Sequence, residues 1–311
     1  MSNKAIFIVG PTGVGKTNLA FSIAKDFNGT LVSADSVQVF KGLDIISGKD
    51  LPQNYSYHAG YFTHNGSPSI CLLDVIDPTQ PFSISDYYHY ATEKIQEINS
   101  ERRLPVVVGG SGLYIEVLLN GLKTNSKPDT KLRKKLEGMD VVDLQKLIPE
   151  SILEVMNDSD IKNPRRLIRK FESVTHKPPI INHQSPSYES LVLGLRLDRD
   201  KLKERIDIRV SERIQNGAVK EAEKLFEKYE KLTQQVRDAN GYKQLFSYLN
   251  GEISLDEATS RWKISEYRHA KNQMTWFEKY GNVKWFSIEK KDFDVDLRKV
   301  TKAFIQTGTM D

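Results

Sequence analysis

The sequence predicts an α/β fold in which helices flank a parallel sheet, and three observations support this. Short β-branched runs alternate with segments of helical period over the first 122 residues, which is typical of a parallel sheet with helical connections. A glycine-rich loop follows the first run directly. The strand pattern stops between about residues 123 and 187 and then returns, so we expect a helical insertion within one sheet-forming domain.

The predicted elements follow one another in a regular order. The runs AIFIV, TLVSAD, SICLLDV and LPVVVGG predict buried strands, with helices over about 17–27 and 84–99 between them. Turn-forming and aromatic residues in NYSYHAGYFTHNGSPS predict an exposed loop or hairpin. After the insertion, SLVLGLRL and VKWFS predict two more strands, and long helices are expected over about 200–229 and 255–280.

Charged amphipathic segments dominate the middle of the chain. The stretches DTKLRKKLEGM, VVDLQKLIPESILEVM and NPRRLIRKFESVT predict short helices without strands between them. We therefore divide the chain into an α/β core, residues 1–122 and 188–311, and a small all-helical insertion domain, residues 123–187.

Composition limits the classes of partner and compartment. The 45 basic and 41 acidic residues leave a net charge of +4, so a polyanion must be bound by a local patch. Cys71 is the single cysteine, which excludes an internal disulfide and fits a reducing compartment. The first apolar run is too short to cross a membrane. We expect a cytoplasmic, monomeric protein with no membrane partner.

The glycine-rich loop reads G-x-x-x-x-G-K-T and lies between a predicted strand and a predicted helix, which indicates a P-loop NTPase-like core. In such a loop the backbone N–H groups and the helix N-terminus face one anion. Lys16 adds positive charge, and the Thr17 hydroxyl can ligate Mg²⁺. The loop consists of Gly10, Pro11, Thr12, Gly13, Val14, Gly15, Lys16 and Thr17.

Two features differ from an ordinary ATPase. The strand LPVVV ends in residues 109–112, GGSG, rather than in a metal-binding aspartate, which indicates a second anion site or a close backbone approach. Asp74 could bind a metal in principle, but the residues after it read as a turn. Asp35 ends the second predicted strand, where the carboxyl edge of the sheet faces the ligand crevice.

The residues around Asp35 allow two interpretations. Asp35 could accept a proton from a nucleophile, or it could cap a helix that begins with DSVQV. Gln38 could complete a capping box, or its amide could bind the edge of an adenine. The residue types alone leave both interpretations open.

Several blocks of the chain resemble the tRNA dimethylallyltransferase family, also called the tRNA isopentenyltransferase or IPP transferase family. In the family's order they are GPTGVGKT, SADSVQVFKGLDI, DVIDPTQPFSISDYY, VVVGGSGLYIEVLLNGL, NPRRLIRKFE, RIDIRVSERIQNGAVKEAEKL, GYKQLFSYLNGEIS and RHAKNQMTWF. The resemblance implies transfer of a dimethylallyl group from dimethylallyl diphosphate to N6 of the adenosine just 3′ of a tRNA anticodon. It also implies Mg²⁺ as cofactor and the tRNA anticodon stem-loop as partner.

The resemblance also implies roles for individual residues. Lys16, Thr17 and Mg²⁺ would stabilise the leaving diphosphate, and Asp35 would accept the proton of the attacking amine. Further contacts to the donor are expected from Arg209, Arg268 and Lys271. Contacts to tRNA are expected from Asp35, Ser36, Val37, Gln38, Ser111, Arg133, Arg165, Arg166, Leu167, Ile168, Arg169, Gly241, Tyr242 and Lys243.

The insertion supplies a local basic patch. Asn163 can cap a helix with Pro164 in its first position, which aligns Arg165 with Arg169. Without the family resemblance, this basic helix face would be interpreted as facing solvent. The resemblance favours a contact with tRNA phosphates. The target adenosine must be flipped out of the anticodon loop to react.

Departures from the family pattern keep other functions open. Asn240 replaces an aliphatic residue, Asn272 replaces an arginine, and residues 46–49 read ISGK instead of GTAK. A longer loop replaces the family's His-His pair. The alternatives are an isopentenyltransferase acting on free AMP, ADP or ATP, a P-loop small-molecule kinase, and an RNA-binding module without catalysis.

Overall fold

The computed structural model describes residues 3–51, 54–64, 66–124, 130–136, 138–175, 181–182 and 186–307. The chain divides into two compact units. The larger unit contains residues 1–120 and 185–311, and the smaller unit contains residues 121–184.

Most of the strands belong to one large sheet in the larger unit. Within the described residues the strands are β1 Lys4–Val9, β2 Gly29–Ser33, β3 Ser56–His58, β4 Tyr61–His64, β5 Ser67–Cys71, β6 Leu104–Val108, β7 Lys123–Thr124, β8 Ile181–Asn182, β9 Glu189–Arg196 and β10 Val283–Ser287. The large sheet has the order β10, β9, β1, β6, β2, β5, β4, β3. All pairs from β10 to β5 are parallel.

The predicted α/β fold is confirmed, with one addition at the sheet edge. Strands β3 and β4 form a hairpin within the stretch NYSYHAGYFTHNGSPS, one of the two forms predicted for it, and β4 also pairs antiparallel with β5. This edge extends the parallel sheet by two antiparallel strands, an arrangement that is common in large mixed sheets.

Helices connect the strands and form most of the smaller unit. They are α1 Lys16–Asp26, α2 Ile84–Ser100, α3 Gly112–Asn120, α4 Thr130–Leu136, α5 Val141–Lys146, α6 Glu150–Leu153, α7 Asp158–Ile161, α8 Pro164–Thr175, α9 Arg199–Gln215, α10 Ala218–Lys228, α11 Gln234–Arg237, α12 Tyr242–Leu249, α13 Leu255–Phe277 and α14 Phe293–Gln306. The single helix expected over 200–229 is divided into α9 and α10 by Gly217, whose φ is 104°. Among these described helices, none has the length and apolar character needed to cross a membrane.

The core of the larger unit lies on both faces of the parallel strands. Strands β1, β2 and β6 are buried at every position, which explains why their sequences are continuous apolar runs rather than alternating ones. Helix α1 covers one face with Ile23, which is fully buried, and α14 contributes Leu297 to the same cluster.

The smaller unit has its own apolar core. Five buried residues from four segments form it: Leu136, Leu144, Ile148, Leu167 and Ile168. Among the described residues of this unit, the regular structure is helical apart from one short antiparallel pair, in which Lys123 is paired with Asn182 and Thr124 with Ile181.

We predict that Ile23→Ala lowers the free energy of unfolding by about 2–5 kcal/mol, because it removes a buried side chain between α1 and the sheet. The matched control is Ile208→Ala, whose side chain is 51% exposed and whose replacement should change stability by about 0.5 kcal/mol or less. Urea unfolding followed by tryptophan fluorescence measures both variants. Equal shifts of the two midpoints would contradict this assignment of the core.

Candidate active site

The glycine-rich loop joins β1 to the N-terminus of α1. Gly15 precedes the helix with φ 99°, a left-handed conformation that glycine adopts without a steric penalty, and it carries no side chain that could cap the helix. The first N–H groups of α1 therefore have no side-chain cap and are available to an anion. This geometry is that of a phosphate cradle.

Two basic side chains lie at this cradle. Lys16 is half-buried and its Nζ donates to the carbonyl oxygen of Pro11 at 2.8 Å. Burial, together with the nearby Arg209 guanidinium, lowers the pKa of Lys16 to about 7, against the opposing charges of Asp35 and Glu266. Arg209, on α9, reaches the loop from another part of the chain. Its Nη1 donates to Thr12 Oγ1 at 3.2 Å.

Gln273 also contacts the loop, although it is not among the site residues predicted from the sequence. Its Oε1 accepts from the backbone N–H of Thr12 at 2.8 Å, and its Nε2 donates to the carbonyl oxygen of Gly110 at 3.0 Å. The signal that could have revealed it is its position on the buried face of α13, in line with Ala270 and Phe277. A glutamine on such a face needs hydrogen-bond partners.

Asp35 lies in a turn directly after β2 rather than at the start of a helix. Its Oδ1 accepts from the N–H groups of Val37 at 2.8 Å and Gln38 at 3.3 Å, which is an Asx turn. Residues 36–39 form turns, so the helix suggested by DSVQV is absent from this described segment. The turn fixes the carboxyl group at the same edge of the sheet as the P-loop.

Ser111 and Gln38 hold this turn in place. Ser111 Oγ accepts from the N–H of Ser36 at 3.0 Å. Gln38 Oε1 accepts from Ser33 Oγ at 3.2 Å, and its Nε2 donates to the carbonyl oxygen of Gly48 at 2.9 Å. Both ends of the Gln38 amide are thus engaged within the protein, so it does not form the capping box considered from the sequence.

Gln235 supports the same turn, and the Tyr87 hydroxyl donates to the carbonyl oxygen of Ser33 at the end of β2. These two residues, and Tyr114 stacked on Tyr87, were not predicted as site residues. Gln235 Nε2 donates to the carbonyl oxygen of Ser36 at 2.9 Å. Tyr114 stacks on Tyr87 with ring centroids 3.7 Å apart, and burial raises the pKa of Tyr114 above its usual range. Tyr114 therefore stays a neutral phenol near Asp35.

The glycines of residues 109–112 serve close backbone packing. The N–H of Gly109 donates to Ile8 O and that of Ser111 to Ala34 O, so these donors are not left for an anion. A side chain on Gly110 would overlap the Gln273 amide. Of the two interpretations left open by the sequence, the geometry favours backbone approach.

Asp74 does not line a metal site. Its carboxylate pairs with the buried ammonium of Lys49, which also contacts Asp44 at 2.7 Å. The described residues contain no group of three or more His, Cys, Asp or Glu side chains that could hold a metal ion. Thr17 is half-buried in the first turn of α1, where its hydroxyl could supply one ligand of an ion held mainly by phosphate oxygens and water.

The three basic residues expected at the donor separate in the structure. Arg209 contacts Thr12, whereas Arg268 and Lys271 are exposed on α13. Because Gln273 and Ala270 form the buried side of this helix, helical periodicity turns Arg268 away from the P-loop.

The tRNA contacts expected from Gly241 and Tyr242, at the start of α12, are corrected by the structure. Tyr242 is fully buried and its hydroxyl donates to Glu221 Oε1 at 2.6 Å, so it cannot present its ring to a ligand. The close neighbours of Gly241 are Ile46 and the Trp262 ring. Gly241 therefore allows close packing within the protein rather than a close approach of tRNA. The neighbouring Lys243 is exposed.

The basic helix of the smaller unit begins as predicted. Asn163 Oδ1 accepts from the N–H of Arg165 at 3.1 Å, and Pro164 is the first residue of α8. Arg165 and Arg169 are exposed one helical turn apart, and Arg166 pairs with Asp160.

Three other residues of this unit, for which the resemblance implies tRNA contacts, make contacts inside the unit instead. Leu167 and Ile168 are buried in the unit's core, which corrects their assignment as direct contacts. Arg133 forms a two-point ion pair with the buried Glu172, at 2.6 and 2.7 Å, so its charge is largely neutralised within the unit.

We predict that the affinity for inorganic pyrophosphate, measured by titration calorimetry in EDTA, falls with rising pH. Above about pH 7 Lys16 is deprotonated in the free protein, whereas the complex with pyrophosphate requires its charged form. The affinity should therefore fall about tenfold per pH unit, in addition to any change that titration of pyrophosphate itself causes. Lys16→Arg stays charged and should remove this extra slope. Equal slopes for the two proteins would contradict the prediction.

Comparisons with known proteins show the family of this chain. The IPP transferase family model matches residues 38–280, and the isopentenyl transferase family model matches residues 3–66. The tRNA dimethylallyltransferase of Acetivibrio thermocellus is 37% identical over 98% of both chains.

Solved structures give the same result. The tRNA isopentenylpyrophosphate transferase of Bacillus halodurans is 33% identical, with a TM-score of 0.69 over 97% of this chain and 96% of that one. The tRNA delta(2)-isopentenylpyrophosphate transferase of Staphylococcus epidermidis is 27% identical, with a TM-score of 0.68 over 97% and 98%. The resemblance seen in the sequence blocks is confirmed: the chain belongs to the IPP transferase family.

Proposed function

We propose that this chain transfers the dimethylallyl group of dimethylallyl diphosphate to N6 of the adenosine just 3′ of a tRNA anticodon. The observation that carries the proposal is a phosphate cradle and a carboxylate at the same edge of one sheet, after β1 and β2, which both pair with β6 and end level with it. The charge of Asp35 opposes the lowering of the Lys16 pKa. A cradle alone suits any phosphate ester, whereas a carboxylate beside it suits an attacking amine. Membership of the IPP transferase family supports the same reaction.

The reaction breaks the bond between the dimethylallyl carbon and the diphosphate oxygen and forms a bond from that carbon to N6. Negative charge grows on the leaving diphosphate, where the α1 N-terminus, Lys16 and Arg209 stabilise it. Asp35 accepts a hydrogen bond from the amine, and it takes the proton after the new bond has formed.

The proposal includes Mg²⁺. Thr17 would be its protein ligand, and oxygen atoms of the diphosphate and of water would supply the other ligands. This is the usual way in which Mg²⁺ binds at phosphates. When bound, the ion neutralises charge on the leaving group.

The acceptor in this proposal is the tRNA anticodon stem-loop. Its adenosine must leave the stacked loop to approach Asp35, and contacts with the phosphate backbone offset the energy of unstacking. The exposed side chains of Arg165 and Arg169 on α8 are suited to such contacts. We further propose that the enzyme acts as a monomer in the cytoplasm, where Cys71 stays reduced.

Incubation with radiolabelled dimethylallyl diphosphate and either unmodified tRNA or AMP tests the function. We expect label in tRNA only, and label in AMP alone would contradict the proposal in favour of a free-nucleotide transferase. Asp35→Asn keeps the acceptor oxygen of the turn and should slow transfer by about 10²–10⁴-fold with nearly unchanged tRNA binding. The exposed Glu93→Gln is the control and should turn over normally.

We also predict that tRNA binding weakens steeply with salt. Replacing Arg165 and Arg169 by alanine should lower the slope of log affinity against log salt by about one for each lost phosphate contact. The exposed Lys302→Ala, on α14, should leave the slope unchanged. Fluorescence anisotropy with a labelled anticodon stem-loop measures this, and a double variant with the wild-type slope would rule out the assigned contacts.

A further inference from the structure

Arg213 is a buried cation for which the mechanism above has no use. It lies on α9 one turn after Arg209 and is only 7% exposed. Its Nη1 donates to the carbonyl oxygen of Ile46 at 2.8 Å, whereas its Nε is buried without a hydrogen-bond partner among the described residues. A buried guanidinium with unsatisfied donors is unfavourable, so its presence calls for a reason.

The space for this guanidinium is provided by Gly48. Gly48 has φ +67°, and a methyl group added to it would overlap Nη2 of Arg213 and approach Nη2 of Arg209 to 2.6 Å. The guanidinium groups of Arg213 and Arg209 therefore both lie close to the space that a side chain at position 48 would occupy. Arg213 occupies the inner position against the backbone, and Arg209 lies toward the P-loop.

Residues 46–50, here called the bridging segment, connect the two halves of the site. On one side Gln38, from the turn that carries Asp35, donates to the carbonyl oxygen of Gly48 at 2.9 Å. On the other side Asp50 accepts from Arg209 Nη2 at 2.7 Å. Arg213 fixes the start of the segment through Ile46 O. Its loss would loosen contacts to both the carboxylate turn and the diphosphate cradle.

We propose that Arg213 is a positioning residue that holds Arg209 at the P-loop and orders the bridging segment for binding of the donor diphosphate. This inference rests on the proposed function only in assigning the diphosphate to the P-loop. Arg213 acts in two ways: it fills the space into which Arg209 could otherwise fold back, and its like charge repels the Arg209 guanidinium outward.

The charge of Arg213 persists under working conditions. Burial, and next the neighbouring Arg209, lower the pKa of Arg213 to about 10. The charged groups that act on it from the surrounding elements are Arg209, Asp50, Glu266 and Asp35. At neutral pH the side chain therefore remains a cation, and the repulsion toward Arg209 is present whenever the enzyme works.

A double-mutant cycle on pyrophosphate binding tests the inference. We expect Arg209→Ala to weaken the affinity for inorganic pyrophosphate about 10- to 100-fold, as for loss of a charge-assisted hydrogen bond, and Arg213→Met to weaken it about tenfold. The double variant should bind no more weakly than Arg209→Ala alone, because Arg213 then has no partner to position. Arg213→Lys should restore part of the affinity.

Gly48→Ala provides a second route, since its methyl group displaces the Arg213 guanidinium. It should weaken pyrophosphate binding in the wild type but add little in the Arg209→Ala background, because both guanidinium groups that the methyl group crowds act on the ligand through Arg209. This comparison does not require Arg213→Met to fold. Arg199→Met, exposed at the start of α9, is the matched control and should bind normally.

Additive losses in the Arg209 and Arg213 cycle, or an unchanged affinity in Arg213→Met, would overturn the inference. Failure of the wild-type protein to bind pyrophosphate would instead overturn the proposed function. A general structural defect is recognised by a lowered affinity that is equally large with and without Arg209. The two proposals therefore fail by different results of the same titration.

Discussion

The site depends on the parallel pairing of three buried strands in one register. Val108 of β6 is level with Ile8 of β1 on one side and with Ser33 of β2 on the other. The three strands therefore end at the same height, and the loops after them begin next to each other. A shift of two residues in β2 would move Asp35 by about 6.6 Å, beyond the reach of any hydrogen bond that now fixes its turn.

Three glutamines connect these loops through neutral hydrogen bonds, in addition to the contacts that Arg209 and Arg213 make. Gln38, Gln235 and Gln273 each bind backbone groups of a segment that is distant in sequence or belongs to another element. An amide offers a donor and an acceptor on one side chain, so Gln273 satisfies Thr12 and Gly110 at once. A neutral amide can be buried beside Lys16 and Asp35 without adding a further charge, so these contacts do not change the net charge of the site.

The parts that could be predicted from the sequence are those whose geometry is local. The P-loop consists of consecutive residues between a strand and a helix, so its motif also specifies its shape. Gln273 and Gln235 depend on how distant helices pack, which no local pattern reports. The family resemblance implies tRNA contacts for Leu167 and Ile168, whereas the 3.6-residue period of α8 indicates their place in the core.

The ion pair between Arg209 and Asp50 implies that this cation already has an anionic partner before any donor arrives. Donor binding at Arg209 is then an exchange of one anion for another rather than the neutralisation of a free charge. Such an exchange favours incoming groups that carry more than one negative charge, because a single carboxylate gains nothing over Asp50. The Asp50 carboxylate thus lowers the gain from any anion that binds at Arg209, and this cost matters least for a diphosphate, which carries more negative charge than one carboxylate.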